Sequence, residues 1–141
     1  MTFPLFLHVL GAMLLVGTLL AVATAILLDW RLADTAGGLT RLGLRTMVIA
    51  VVPAHLLMRI GAQWTEAEAD LPGEYAWLDI GYIVADLGGL LVLVSLVLAA
   101  IGLRKLRAGG GRGLARAVGV ISTIMLAGYV VAVWAMTTKP L

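Results

Sequence analysis

The chain has 141 residues, of which 62% are apolar and only 13% are charged, and its mean hydropathy is +1.06. A soluble domain carries roughly 45–50% apolar and about 25% charged residues, so this composition excludes a water-exposed globule. The chain has no cysteine, which excludes a disulfide scaffold, thiolate metal sites and thiol catalysis.

Four apolar runs follow one another along the chain, at about residues 3–28, 42–64, 77–103 and 113–136. Each exceeds the roughly 20 residues that a helix needs to cross a hydrocarbon core of about 30 Å. Barrel strands are far shorter, at about 10 residues. The sequence therefore predicts one all-α domain over residues 1–141, an antiparallel up-down bundle of four transmembrane helices.

The first predicted span begins at Phe3. It lacks the basic n-region of a signal peptide, and it is longer than the ~7–15 residues of an apolar h-region, so we interpret it as a retained helix. Its one ionisable residue, His8, lies ~8 Å below Phe3 at ~1.5 Å per residue. We expect His8 either to ligate a cofactor or to form a hydrogen bond with a backbone carbonyl.

The second predicted span carries His55 and Arg59 on one helical face, because the two are four residues apart. His55 precedes Trp64 by nine residues, which places it ~14 Å deep. Pro53 lacks a backbone donor and clashes with the carbonyl of Ile49, so a kink is expected there.

The third predicted span carries Asp79 and Asp86, and Asp86 lies nine residues after Trp77, again ~14 Å deep. Since His55 lies at the same depth, we expect the side chains of His55 and Asp86 to meet. Arg59 is expected either to extend to the headgroups or to pair with Asp79.

The fourth predicted span adds Tyr129, which lies ~8 Å below Trp134. Ionisable residues inside a membrane are costly and indicate function by default. Together these spans predict a polar pocket that opens outward below the acidic connection at residues 65–74, which contains Pro72 and Gly73. The predicted lining is His8, His55, Arg59, Asp79, Asp86 and Tyr129.

The distribution of charge predicts the orientation. Eight of the ten basic residues lie around the first and third connections, near residues 33–40 and 108–113, whereas acidic residues fill the second connection. The positive-inside rule then places both basic connections in the cytoplasm and both termini outside, in a multi-pass protein of the plasma (inner) membrane. Because topology accounts for the basic pI of about 9.4, we expect no nucleic-acid partner.

Small residues recur at a spacing of four in every span, and such stripes allow helices to approach closely in lipid. We expect these stripes to be the packed faces. They are Gly17, Ala21 and Ala25; Thr46, Ala50 and Ala54; Gly81, Ala85 and Gly89; and Ala115, Gly119, Thr123 and Ala127.

Three segments carry a family resemblance: residues 7–17 (Leu-His-Val-Leu-Gly-Ala-Met-Leu-Leu-Val-Gly), 58–64 (Met-Arg-Ile-Gly-Ala-Gln-Trp) and 77–82 (Trp-Leu-Asp-Ile-Gly-Tyr). The chain resembles an uncharacterised group of bacterial four-helix integral membrane proteins, distantly similar to the copper-resistance protein D family. The first segment also resembles the Leu-His helix of four-helix haem-handling membrane proteins, protoporphyrinogen oxidases among them. That resemblance implies a haem role for His8, whereas the later histidines and lysines of those families have no counterpart in this chain.

Two histidines on separate helices can ligate the iron of haem b, so haem b is a candidate cofactor held by His8 and His55. The same residues are candidate ligands of a metal such as copper, whose identity stays open. The leading hypothesis is therefore a pocket that binds a small ligand or a haem-type cofactor, in redox or assembly.

Two other function classes remain open beside the binding pocket. One is a proton-coupled small-solute transporter or channel, in which Asp86 and His55 would titrate. The other is an accessory subunit whose partner, besides the lipid bilayer, is a larger membrane complex or a second copy of the chain.

Overall fold

The computed structural model describes residues 2–32, 37–69 and 75–138, and within these ranges the regular structure is helical. Four helices are long and apolar enough to cross a membrane, which confirms the predicted all-helical class and the number of candidate spans. The four helices are α1 (Phe3–Leu32), α2 (Gly38–Ala69), α3 (Ala76–Arg107) and α4 (Arg112–Thr138).

Helix α2 is α-helical over Gly38–Thr46, widens to a π-helix over Met47–Val51, and is α-helical again over Val52–Ala69. The widened turn lies just before Pro53, which is where the sequence predicts an irregularity. Proline cannot donate to the carbonyl four residues earlier, and its ring crowds that carbonyl, so a wider turn relieves the conflict. The chain thus passes the proline without ending the helix.

The helices are longer than the predicted spans, because they continue beyond the apolar runs into the polar connections. Residues 65–69, predicted as part of a loop, are the last turn of α2. Pro72 and Gly73 lie outside the described residues. Between α3 and α4 the chain turns at Gly109 and Gly111, whose φ angles of 84° and 88° favour glycine.

The packing leaves one side of the bundle less closed than the others. Helix α1 packs along α2 and α4, and α3 packs along α4. By contrast, α3 contacts α2 mainly through the first half of α2, Gly38–Val51, and much less through Val52–Ala69. We call the sparsely packed part, between Val52–Ala69 and α3, the α2–α3 seam.

The two ends of the bundle differ in chemistry. At one end, named the tryptophan end after Trp64, Trp77 and Trp134, the ring of Phe3 meets Trp64 edge-on at 6.0 Å. At the other, the basic end, arginines border two cavities. The residues bordering these cavities include Arg41, Arg45, Arg107, Arg112 and Arg116.

The predicted small-residue stripes are only partly the packed faces. Gly17 and Ala21 are exposed on α1, and Thr123 and Ala127 are exposed on α4, so the prediction is wrong at these positions. Large residues at heptad spacing form the buried face of α1 instead: Leu15, Leu19, Val22, Ile26 and Asp29.

Helices α1 and α2 approach each other closely at two glycines that the predicted stripes do not include. A Cβ atom placed on Gly11 would lie 2.3 Å from the backbone nitrogen of Met58. One placed on Gly61 would lie 2.4 Å from the backbone nitrogen of His8. Backbone therefore lies directly against backbone, which only glycine allows.

Candidate functional site

A cluster of polar side chains from three helices lies toward the tryptophan end of the bundle. We call it the polar cluster, and its members are His55 and Arg59 of α2, Tyr82 and Asp86 of α3, and Tyr129 of α4. Four of these five were predicted as pocket residues. The structure therefore brings together polar groups that are far apart in the sequence.

Arg59 and Asp86 form the charged part of the cluster. Nη2 of Arg59 donates to Oδ1 of Asp86 in an ion pair across the α2–α3 seam. The same guanidinium lies over the ring of Tyr82, with Cζ 5.2 Å from the ring centroid, a cation–π geometry. Arg59 thus pairs with Asp86. The sequence analysis had named Asp79 as its possible partner.

The ion pair is unequally exposed. The side chain of Asp86 is 64% exposed, whereas that of Arg59 is 24% exposed. Nη1 of Arg59 is buried and has no hydrogen-bond partner among the described residues. One buried donor of the guanidinium is thus left without an acceptor, beside a carboxylate that lies open at the seam.

His55 and Tyr129 form the buried part of the cluster. Nδ1 of His55 and the Tyr129 hydroxyl share a hydrogen bond of 3.0 Å, and both residues are buried. The expected contact between His55 and Asp86 is therefore replaced by two pairs, His55 with Tyr129 and Asp86 with Arg59. The two pairs adjoin each other, since His55 and Arg59 are one helical turn apart.

Two adjacent glycines of α3 make room for the buried pair. A Cβ atom on Gly88 would lie 2.2 Å from the hydroxyl of Tyr129, and one on Gly89 would lie 3.1 Å from Nε2 of His55. Any side chain at Gly88 would displace the tyrosine hydroxyl. The absence of side chains here lets the imidazole and the phenol lie directly against α3.

His8 lies in the contact between α1 and α2 instead of with the polar cluster. Its Nδ1 donates to the backbone carbonyl of Met58 at 3.0 Å, since a carbonyl can only accept. This is the carbonyl contact that the sequence analysis gave as the alternative to a ligand role. The contact ties α1 to α2 beside the glycine crossing.

Asp79 also lies apart from the polar cluster. It is exposed in the first turn of α3, two turns before Asp86. Among the described residues its carboxylate forms no ion pair. Its position matches that of a solvated residue at the start of a helix.

The arrangement of the histidines does not suit a haem. Both Nδ1 atoms are engaged, by the Met58 carbonyl and by Tyr129, so only the Nε2 atoms remain to bind iron. A Cβ atom placed on Gly89 would lie 3.1 Å from Nε2 of His55, so α3 passes close to this nitrogen and crowds the approach of an iron atom. Among the described residues there is also no group of three His, Cys, Asp or Glu that could hold a metal ion.

One polar pair was missed by the sequence analysis. Asp29 of α1 is buried and accepts a hydrogen bond on Oδ2 from the hydroxyl of Thr40 in α2. A signal for it exists, because Asp29 continues the heptad spacing of Leu15, Val22 and Ile26 and so belongs to their buried face. The predicted first span ends at about residue 28, just before this aspartate.

Comparison with protein-family models, with curated proteins and with solved structures finds no match for this chain. Its function is therefore argued from the geometry of its own residues.

Proposed function

We propose that the chain is a multi-pass protein of the plasma membrane with antiparallel helices and both termini outside. The excess of basic residues at one end supports this orientation, because such residues favour the cytoplasmic side. The contacts support the antiparallel order, since Phe3 meets Trp64 whereas Asp29 meets Thr40. In this setting the polar cluster lies in the outward half of the bundle.

In that setting, the polar cluster is a binding site for a small polar ligand that enters through the α2–α3 seam. The observation that carries this proposal concerns the two terminal nitrogens of the Arg59 guanidinium. Its Nη2 is paired with Asp86, but its Nη1 is buried and has no hydrogen-bond partner in the part of the chain that the structure describes. A buried donor that lacks an acceptor costs about 1–3 kcal/mol, and more when it is charged, so an incoming acceptor is favoured there.

The seam indicates what kind of ligand fits. A carboxylate can accept from Nη1 of Arg59, because charge-assisted hydrogen bonds to arginine are strong and directional. The ring of Tyr82 borders the guanidinium and offers an apolar surface beside it. A small carboxylate with an apolar body therefore matches the site better than a fully hydrophilic solute.

Benzoate is a suitable probe of this site, because it combines a carboxylate with an apolar ring. Thermal unfolding of the protein purified in detergent is followed at rising benzoate concentration, with benzyl alcohol as the probe that lacks the carboxylate. We expect benzoate to raise the Tm in a saturable manner. At ten times Kd the stabilisation is about 1.4 kcal/mol.

The variant Arg59→Lys tests the assignment, since lysine keeps the charge but loses the second donor nitrogen. We expect Arg59→Lys to lose most of the benzoate response, whereas the control Arg45→Lys, exposed at the basic end, should respond like the wild type. Equal benzoate shifts in the wild type and in Arg59→Lys would contradict the site. Equal shifts with benzyl alcohol would show detergent-like partitioning instead.

A flux measurement distinguishes a transporter from a protein that only binds its ligand. If radiolabelled benzoate accumulates in proteoliposomes above the level in empty liposomes, and Asp86→Asn abolishes this uptake, the site serves transport and not binding alone. Flux equal to that of empty liposomes would leave binding as the function. The buried face that continues from the cluster toward the basic end favours binding, since it is filled by apolar residues such as Leu19, Val51 and Val92.

A further inference from the structure

The basic end of the bundle holds a second polar site, separate from the polar cluster. Asp29 is 8% exposed and Thr40 is 4% exposed. Thr40 satisfies only one carboxylate oxygen, Oδ2. The other oxygen, Oδ1, is buried and has no hydrogen-bond partner among the described residues. An unsatisfied carboxylate oxygen inside an apolar bundle requires a donor.

Asp29 borders a cavity of about 70 Å³ that also has two arginines in its lining. Arg112 and Arg116 are those arginines, and both belong to the first turns of α4. The guanidinium of Arg116 lies over the ring of Trp30, with Cζ 4.8 Å from the ring centroid. Among the described residues, the cavity therefore combines a buried acceptor, Oδ1 of Asp29, with cationic side chains at its border.

This combination excludes several ligand classes. A divalent cation needs several oxygen ligands and would be repelled by the arginines, whereas Asp29 supplies the one carboxylate among the described residues of the lining. A simple anion would suit the arginines but would leave Oδ1 of Asp29 without a donor. A ligand with an anionic group and an N–H donor a few ångströms apart satisfies both requirements.

The volume and the position of the cavity limit the candidate ligands further. A water-sized group needs about 10–15 Å³, so a cavity of about 70 Å³ has room for a few such groups but not for a lipid tail. Trp30 is 47% exposed at this end, as is typical of a tryptophan at headgroup level. The ligand is therefore expected at the surface of the bundle, where lipid headgroups lie.

We infer that this cavity binds a phosphoethanolamine group, with the ammonium donating to Oδ1 of Asp29 and the phosphate held by Arg116, in the positive field to which Arg112 also contributes. The group is the headgroup of phosphatidylethanolamine, and it is also the free metabolite O-phosphoethanolamine. Both present the same chemistry to the site. In the lipid, the acyl chains would extend along the apolar exterior of the bundle.

The test compares two lipids that differ in whether the ammonium of the headgroup has N–H donors. The Tm of the purified protein in mixed micelles is measured against the mole fraction of phosphatidylethanolamine or of phosphatidylcholine, whose trimethylated ammonium has no N–H donor. We expect phosphatidylethanolamine to raise the Tm at a lower mole fraction than phosphatidylcholine does. Free O-phosphoethanolamine is titrated at millimolar concentration. If it raises the Tm as much as the lipid does, the soluble metabolite is identified as a source of the ligand.

The variant Asp29→Asn removes the charge but keeps the shape of the side chain. We expect it to raise the half-saturating mole fraction of phosphatidylethanolamine by about tenfold, the loss of one charge-assisted hydrogen bond, and to leave the response to phosphatidylcholine unchanged. The matched control Asp79→Asn, exposed at the other end, should keep the wild-type preference.

Arg116→Gln provides the second variant, which also serves if Asp29→Asn does not fold. We expect Arg116→Gln to weaken the responses to both lipids, because both carry the phosphate, whereas the exposed control Arg104→Gln should not. A wild type that responds equally to both lipids overturns the inference, and so does an unchanged response in Arg116→Gln. Neither result bears on the benzoate site, which lies at the other end of the bundle.

Discussion

At the scale of single residues, glycines on α3 determine where the buried imidazole of His55 and its tyrosine partner can lie. Gly88 leaves the space that the Tyr129 hydroxyl occupies, and Gly89 leaves the space beside Nε2 of His55. A hydrogen bond between two buried side chains is preserved only while both groups keep their positions. The His55–Tyr129 pair therefore depends on residues that make no polar contact themselves.

The substitution Gly88→Ala tests this dependence. Its Cβ atom would lie 2.2 Å from the Tyr129 hydroxyl, so the phenol must move and the hydrogen bond to His55 is lost. We expect the free energy of unfolding to fall by about 1–3 kcal/mol, as measured by thermal unfolding in detergent. Gly17→Ala is the matched control, since nothing lies within 4 Å of its Cβ position.

A second variant shows whether the oxygen itself causes the loss. In a Tyr129→Phe background the atom closest to the new methyl group is absent. Gly88→Ala should therefore cost less there than in the wild type, a coupling that a double-mutant cycle measures. Equal costs in both backgrounds would show that the hydroxyl is not the limiting contact.

The position of His55 also leads to a prediction about haem. Because α3 passes close to its Nε2 at Gly89, we expect protein expressed with added haem precursor to be colourless after purification, without a Soret band in its absorption spectrum. A stoichiometric Soret band that His55→Ala removes would contradict the geometry. It would require α2 and α3 to separate at the seam.

At the scale of elements, the crossing of α1 and α2 brings backbone against backbone. In the proposed membrane setting, burying leucine against leucine gains little over burying it against acyl chains, so close approach of backbones strengthens the contact. Gly11 and Gly61 each face the backbone of the opposite helix. The hydrogen bond from His8 to the carbonyl of Met58 joins the same two helices at this level.

Substitution at this crossing should be more damaging than at other helical glycines. The Cβ of Gly61→Ala would lie 2.4 Å from a backbone atom of His8, and backbone cannot move aside as a flexible side chain can. We expect a loss of about 3 kcal/mol, measured by thermal unfolding. Gly128→Ala is the control, because its Cβ makes an ordinary 3.7 Å contact with Val84, and equal losses in both variants would contradict the role of the crossing.

At the scale of the whole molecule, the distribution of charge and aromatic residues gives the bundle two unlike ends. The basic end combines the arginine-lined cavities with the buried Asp29, and the tryptophan end lies nearest to the polar cluster. With the proposed orientation, the two sites would face opposite leaflets. The small-ligand site would be reached from outside and the phosphoethanolamine site from the cytoplasmic leaflet.

The orientation can be tested directly because the chain has no cysteine. Ala67→Cys places a thiol in the exposed last turn of α2, and Ala108→Cys places one in the exposed turn after α3. We expect a membrane-impermeant maleimide to label Ala67→Cys in intact cells, and Ala108→Cys only after permeabilisation. The reverse pattern would invert the topology and would exchange the leaflets assigned to the two sites.

The number of helices follows from the sequence alone, because the length of an apolar run is a local property. Counting from Trp64 and Trp77 likewise predicts His55 and Asp86 at one level along the bundle, and both belong to the polar cluster. The helix ends were less predictable, since α2 continues to Ala69 through residues whose polarity indicated a loop.

Only the tertiary structure decided which way each side chain faces around its helix. In a chain this apolar, the faces that contact other helices are no more hydrophobic than the exposed ones, so the sequence pattern carries little information about rotation. Gly17 and Ala21 are therefore exposed despite their spacing, and Leu15 is buried. The partner of Asp86 was decided in the same way: equal depth predicts His55, but Asp86 pairs with Arg59, which lies one helical turn closer to Trp64, and His55 pairs with Tyr129.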